Sequence, residues 1–133
     1  EADHLFATRL WQNNAKVHFD INAREDKKRL IYGGHIISLV RALSFNGLEN
    51  AQLIVGINGG THANPVFAED TIYCWSEVLD KIDLNVRNIA ALRLRSVGTK
   101  EKNHNMKVKS DDGRYLPTIV LDFDYWVLVP KEL

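Results

Sequence analysis

His18 is the residue in this chain best suited to proton chemistry. Imidazole titrates near neutral pH, so one side chain can both take and give a proton. His18 follows the turn-forming amides Gln12-Asn13-Asn14, and turns are where functional side chains are often displayed. The plain alternative is a surface or structural histidine. Asn13 stands five residues earlier. A neutral amide is no base at neutral pH; it can only hold a water or a substrate oxygen by hydrogen bonds. Gly33-Gly34 opens an apolar run. If that run is a helix, its first N–H groups are unpaired and carry partial positive charge, which suits negative charge growing on an oxygen. Close packing of helix on sheet would equally call for glycine there. Arg41 and Ser44 lie near the face of the same run that includes Ser38. They could reach a substrate carboxylate, Arg41 by a bidentate pair, or Arg41 could point to solvent or to an acidic neighbour. His62 and Asn64 flank a predicted strand and could line a pocket. Asp20 either orients His18 or caps the next turn.

Other chemistry-bearing types point elsewhere. The single cysteine, Cys74, sits inside Ile72-Tyr73-Cys74-Trp75, which reads as strand interior, so a small buried apolar role is expected rather than a nucleophile. One thiol makes no disulfide framework, and a reducing compartment, the cytoplasm, is expected. His35 and His104 are expected to have no catalytic part, and no spacing suggests a zinc site. The glycines from Gly56 to Gly60 lack the lysine and helix of a phosphate loop. Seventeen basic residues balance seventeen acidic ones, which argues against a nucleic-acid partner recruited by bulk charge. No apolar run has membrane-spanning length.

These side chains must be positioned by one ordinary domain of 133 residues. Leu5, Phe6 and Leu10 have helical spacing in a short first segment. A short helix capped by Asn22, with Glu25 three residues on, is predicted next. The run Gly33 to Phe45 is apolar nearly all round, which predicts a buried helix ended by Asn46-Gly47. The period then shifts toward two. Strands are predicted over Leu53–Ile57, Thr71–Leu79, Leu92–Val97 (one buried and one wet face) and Ile119–Val129, with a charged connection from Lys100 to a turn at Asp112-Gly113. One buried helix followed by long strands predicts an α+β fold, an antiparallel sheet wrapped on one helix.

The order Phe6-Ala7, Asn13, His18, Asp20, Tyr32-Gly33-Gly34 and then Pro65-Val66-Phe67-Ala68-Glu69-Asp70 resembles the MaoC-like enoyl-CoA hydratases. Those proteins carry a Gly-Asp-x-Asn-Pro-x-His stretch, an Ile-x-x-Gly run opening a central helix, and a Pro-Val-x-x-Gly-Asp turn feeding a long strand. Tyr32-Gly33-Gly34-His35, Leu43 to Asn50 and Asp122-Phe123-Asp124-Tyr125-Trp126 are similar to the mesaconyl-CoA branch, whose members join two hotdogs in one chain. The likeness is to their C-terminal half. It implies that residues 1–133 are one hotdog domain, α+β, an antiparallel β-sheet wrapped around a central helix, without the family's first strand.

The resemblance also implies an activity: a hydro-lyase adding or removing water across the double bond of an enoyl-CoA thioester, of mesaconyl-CoA or a related dicarboxylic acyl group. In the family a carboxylate and a histidine move the protons, and backbone N–H at the start of the central helix serves the oxyanion. Carried over, His18, Asn13 and Gly34 are the catalytic candidates, and Gly33, Arg41, Ser44, His62 and Asn64 the substrate-binding ones. No metal or separate cofactor is implied, coenzyme A being part of the substrate; Lys100, Lys102, Lys107 and Lys109 could meet its phosphates. A companion hotdog, as a second domain or a homodimer partner, is expected. The chain departs from the pattern where Asn13 replaces the family's Asp and where Ala15 and Lys16 replace Asn and Pro. Asn13 leaves open a non-catalytic acyl-CoA-binding half, with a thioesterase as a further alternative on the same fold, or a site adapted to a substrate that brings its own carboxylate.

Overall fold

The computed structural model describes residues 1–51, 53–102 and 105–131; His104 lies outside the described residues. Helix α1 (Ala2–Leu10) leads through two 3₁₀ turns, Lys16–His18 and Ile21–Ala23, to α2 (Gly33–Leu43) and the short α3 (Phe45–Leu48). Four strands follow: β1 (Leu53–His62), β2 (Tyr73–Val86), β3 (Ile89–Thr99) and β4 (Ile119–Pro130). They form one antiparallel sheet in the order β1-β4-β3-β2, and α2 packs across β2, β3 and β4. This is the expected α+β arrangement of a sheet laid against one helix.

Period-two alternation in the central strands builds the core. From β4, Leu121, Phe123, Tyr125 and Val127 are buried, with Leu94 of β3, against Ile36 and Val40 of α2. The helix comes so close that a Cβ on Gly98 of β3 would lie 2.7 Å from a Val40 methyl. Asp122 and Asp124 point to the other face and form forked ion pairs with Arg95 (2.8 and 2.8 Å) and Arg93 (3.0 and 2.6 Å). The expected division of β3 into apolar and polar faces therefore holds at Leu94 against Arg93 and Arg95.

Several expectations are corrected. Helix α2 buries one stripe rather than its whole surface: Ile36 and Val40 are inside, while Leu39 and Leu43 remain 37% and 43% exposed. It ends at Leu43, before Asn46-Gly47, whose non-helical angles (Gly47 φ 88°) kink the Phe45–Leu48 segment instead. The second 3₁₀ turn is capped by Asp20, which accepts from the Asn22 N–H at 2.8 Å, and not by Asn22. Strand β1 runs on through Asn58-Gly59-Gly60, which reads as a break in the sequence. It is an edge strand whose Asn58 donates to Asp124 (2.8 Å) and whose Gly60 lies over the Phe123 ring.

Candidate active site

The C-terminus of α1 sets Asn13. Its N–H donates to the Thr8 carbonyl at 2.9 Å, and its side-chain oxygen accepts from the Ala15 N–H at 2.9 Å. That local ring fixes the amide, because only Oδ1 can accept. The Nδ2 group is thus the face of Asn13 left for a ligand, and it is a donor. The following 3₁₀ turn delivers His18, whose Nδ1 lies 2.9 Å from the Leu30 carbonyl. A carbonyl only accepts, so Nδ1 carries the hydrogen and Nε2 is the nitrogen left for chemistry. Asp20 is spent on its cap and does not orient His18. The turn is tied to the segment entering α2 by the Leu30 N–H bond to Val17 (2.9 Å), and that segment to the Pro65-Val66 turn by Ile31 N–H to Val66 (2.9 Å).

Tyr32 caps α2 with its carbonyl, which accepts from His35 (3.0 Å) and Ile36 (3.3 Å). The N–H groups of Gly33 and Gly34, in the first turn, have no intrahelical acceptor. The need for two glycines is steric. A Cβ on Gly33 would lie 2.7 Å from His62 Nε2, and one on Gly34 would lie 2.6 Å from the Tyr32 ring. The two rings therefore rest on the helix N-terminus where side chains would otherwise stand. The Tyr32 ring also meets His18 edge to face, centroids 5.8 Å apart. Removal from water against this surface holds the His62 imidazole below the ordinary histidine range.

Asn13, His18, Tyr32, Gly33, Gly34, His62 and Asn64 line one cavity of about 530 Å³, closed on its apolar side by residues such as Ile36, Val66 and Val120. Of the candidates read from the sequence, Asn13, His18, Gly33, Gly34, His62 and Asn64 are thus brought together. Asn64 donates both amide hydrogens to the Leu116 (2.9 Å) and Ile119 (2.7 Å) carbonyls, so it fixes the entry to β4 and keeps only its oxygen for a ligand. Arg41 and Ser44 are not in this site. Gly33 and Arg41 are eight residues apart on one helix, about 12 Å along the axis. The Arg41 guanidinium is already engaged, donating to the Ala51 carbonyl (2.7 Å), the Tyr125 hydroxyl (3.1 Å) and Ser44 (3.3 Å). Ser44 in turn donates to the Arg41 carbonyl at 2.7 Å.

Of the lysines considered for phosphate contact, Lys100 pairs with Asp70 and Lys107 with Asp111, while Lys109 lies over the Tyr115 ring. Burial pushes the Cys74 thiol up, the opposite of activation. Among the described residues no group of three His, Cys, Asp or Glu is placed to hold a metal, and no helix is long and apolar enough to cross a membrane. Sequence reasoning missed Tyr32; an aromatic residue directly before two glycines is the signal that could have found it. It also missed His4, which is 1% exposed on α1 with neither ring nitrogen hydrogen-bonded among the described residues.

An antiparallel sheet laid on a helix whose glycine-lined N-terminus faces a histidine is the arrangement of a hotdog domain. No family model matches the chain. Mesaconyl-CoA hydratase of Cereibacter sphaeroides is 59% identical over 131 residues, which cover 98% of this chain and 38% of that protein. β-Methylmalyl-CoA dehydratase of Chloroflexus aurantiacus is 52% identical over 137 residues, covering 99% and 39%. The crystal structure of a MaoC domain protein dehydratase from Chloroflexus aurantiacus J-10-fl matches with TM-score 0.93 at 50% identity, over 99% of this chain and 39% of that one. The (R)-hydratase from A. caviae shares the fold at TM-score 0.62 and 17% identity, over 97% and 86%. The chain has the hotdog fold, and over nearly its whole length it is similar to part of these MaoC-type proteins. It spans less than two fifths of the length of the curated relatives it matches.

Proposed function

We propose that this domain carries the hydration site of an enoyl-CoA hydro-lyase, and that its acyl group is dicarboxylic, mesaconyl-CoA or a close analogue. The observation that carries the reading is the convergence, in one cavity, of the Nε2 of His18 with two helix N–H groups, all without a partner among the described residues. Hydration requires a group that moves protons and donors for the charge growing on the thioester oxygen. His18 supplies the first. Gly33 and Gly34 N–H supply the second, and one such donor in a dry site is typically worth about 10²–10³ in rate. The names of the two relatives favour the dicarboxylic substrate. So does Asn13: its outward-facing Nδ2 can donate to a substrate carboxylate, where an aspartate would repel it in a low-dielectric pocket.

The domain works beside a second hotdog, in the same polypeptide or in another subunit, and in a reducing compartment such as the cytoplasm. The exposed apolar residues of the edge strand β1, Leu53, Val55 and Ile57, support the companion. The test is loss of enoyl absorbance with mesaconyl-CoA and with crotonyl-CoA, for the intact protein and for Asn13→Asp. Faster turnover of mesaconyl-CoA by the wild type, reduced in Asn13→Asp, is the expected result. A higher rate on mesaconyl-CoA in Asn13→Asp would refute the account of Asn13. Release of free CoA would mark a thioesterase instead.

A further inference from the structure

No carboxylate lines the cavity among the described residues; its titratable side chains are His18, Tyr32 and His62. The chemistry proposed above needs one group to accept a proton and one to donate, and Asn13 does neither at neutral pH. We propose that His62 is a second proton-transferring group of this site, taking the proton of the attacking water while His18 delivers the proton to the α-carbon. This assignment rests on the hydratase reading.

The geometry separates the two imidazoles by environment. His18 has its Nδ1–H held by the Leu30 carbonyl, an acceptor that serves a ring protonated at both nitrogens equally well. Its Nε2–H is then a donor to the pocket. His62 rests on Gly33, its Nε2 2.7 Å from the place a Cβ would take. Its ring makes no hydrogen bond to a described residue, and the positive end of α2 disfavours a second positive charge there. Loss of solvent works in the same direction, keeping His62 unprotonated and hence a base. An imidazole kept unprotonated, beside one whose Nε2 is free to hold or release a hydrogen, gives the site a base and a donor. Both rings lie close to Gly33 and Gly34, whose N–H groups would receive the oxyanion: His62 lies against Gly33, and His18 meets the Tyr32 ring that lies against Gly34.

The step balances. Water oxygen bonds to the β-carbon as one O–H bond breaks, and its proton passes to the unprotonated nitrogen of His62. The double-bond electron pair moves through the α-carbon onto the thioester oxygen. The α-carbon then takes a proton from His18 Nε2, giving one new C–O and one new C–H bond. Exchange with solvent returns both rings to their starting states. In dehydration His18 removes the α-proton and protonated His62 releases the hydroxyl as water.

The test compares the intact protein with its His62→Gln and His18→Gln variants by two readouts. One is hydration of mesaconyl-CoA or crotonyl-CoA. The other is exchange of the α-proton of a saturated acyl-CoA in D₂O, followed by mass spectrometry, which needs His18 but no attacking water. His62→Gln should lower kcat by about 10²-fold with little change in KM, the usual scale for one general base, and should keep α-proton exchange. His18→Gln should lose both. Hydration within about threefold of wild type in His62→Gln, small against the 10²–10⁴ expected of proton transfer, overturns the proposal. So does loss of exchange together with hydration in His62→Gln, which would mean a structural role. A wild-type protein that does neither sinks the hydratase reading itself.

Discussion

At the scale of single residues, two histidines show how differently burial can be used. His62 loses water against a helix end and faces a cavity. His4 loses it in the packing of α1 and meets no hydrogen-bonding partner among the described residues. Burial, with smaller effects from nearby positive charge, holds the His4 imidazole below its ordinary value. A depressed histidine binds fewer protons folded than unfolded, so folding stability rises with pH through this window. The loss sets in as pH falls through the unfolded value near 6.5. His4→Leu removes the unsatisfied nitrogens and the titration together. Thermal melts from pH 7.5 to 5.5 should show the variant more stable than wild type by about 1 kcal/mol, the scale of an unsatisfied buried polar group, with the gap widening toward low pH. An equal slope in both proteins would show that His4 does not carry the pH dependence. The residue types of the main site were legible in the sequence, because His18, Asn13 and the glycine pair stand in a motif. Arg41 and Ser44 were misplaced because helical periodicity gives the face of a residue but not its distance along the axis.

At the scale of elements, the site depends on how closely α2 lies on the sheet. The crowding at Gly98, with Val40, Val120 and Leu121 all within 3.4 Å of a would-be Cβ, sets that distance at the third turn of the helix. Gly98→Ala should push α2 outward by a few tenths of an ångström. The expected cost is about 1–3 kcal/mol, as for other overpacked cores, read as a lower melting temperature. Because the oxyanion donors proposed for the site stand at the helix N-terminus, kcat should fall as well while KM changes less. Unchanged melting would mean that β3 absorbs the extra methyl. Helices and central strands were legible because their apolar period matches their burial. The continuation of β1 to His62 was not, since an edge strand tolerates Asn58-Gly59-Gly60 where a central one would not.

At the scale of the whole molecule, the sheet is finished on one face and open on another. Arg93 and Arg95 close the outer face of β3 and β4 with their forked aspartate pairs, while β1 ends the sheet as an edge carrying exposed Leu53, Val55 and Ile57. β2, at the opposite edge, adds Val78, Ile82, Leu84 and Val86. Edges of this kind invite pairing with further chain. Sedimentation of this 133-residue chain by itself should therefore show self-association, and Val55→Lys with Ile57→Lys should shift it toward monomer without loss of secondary structure. A monomer in both cases would leave the companion hotdog without physical support. The order of apolar periods announced an α+β fold, but it could not announce these open edges, because a strand's neighbours are a property of topology rather than of local pattern.

The contact of His62 with Gly33 also has a consequence for how this chain can drift. The two positions are not independent letters. While the ring at 62 keeps its present place, a side chain at 33 must displace it. A substitution at 33 is therefore felt first by the imidazole, whose position in the cavity changes before that of the helix.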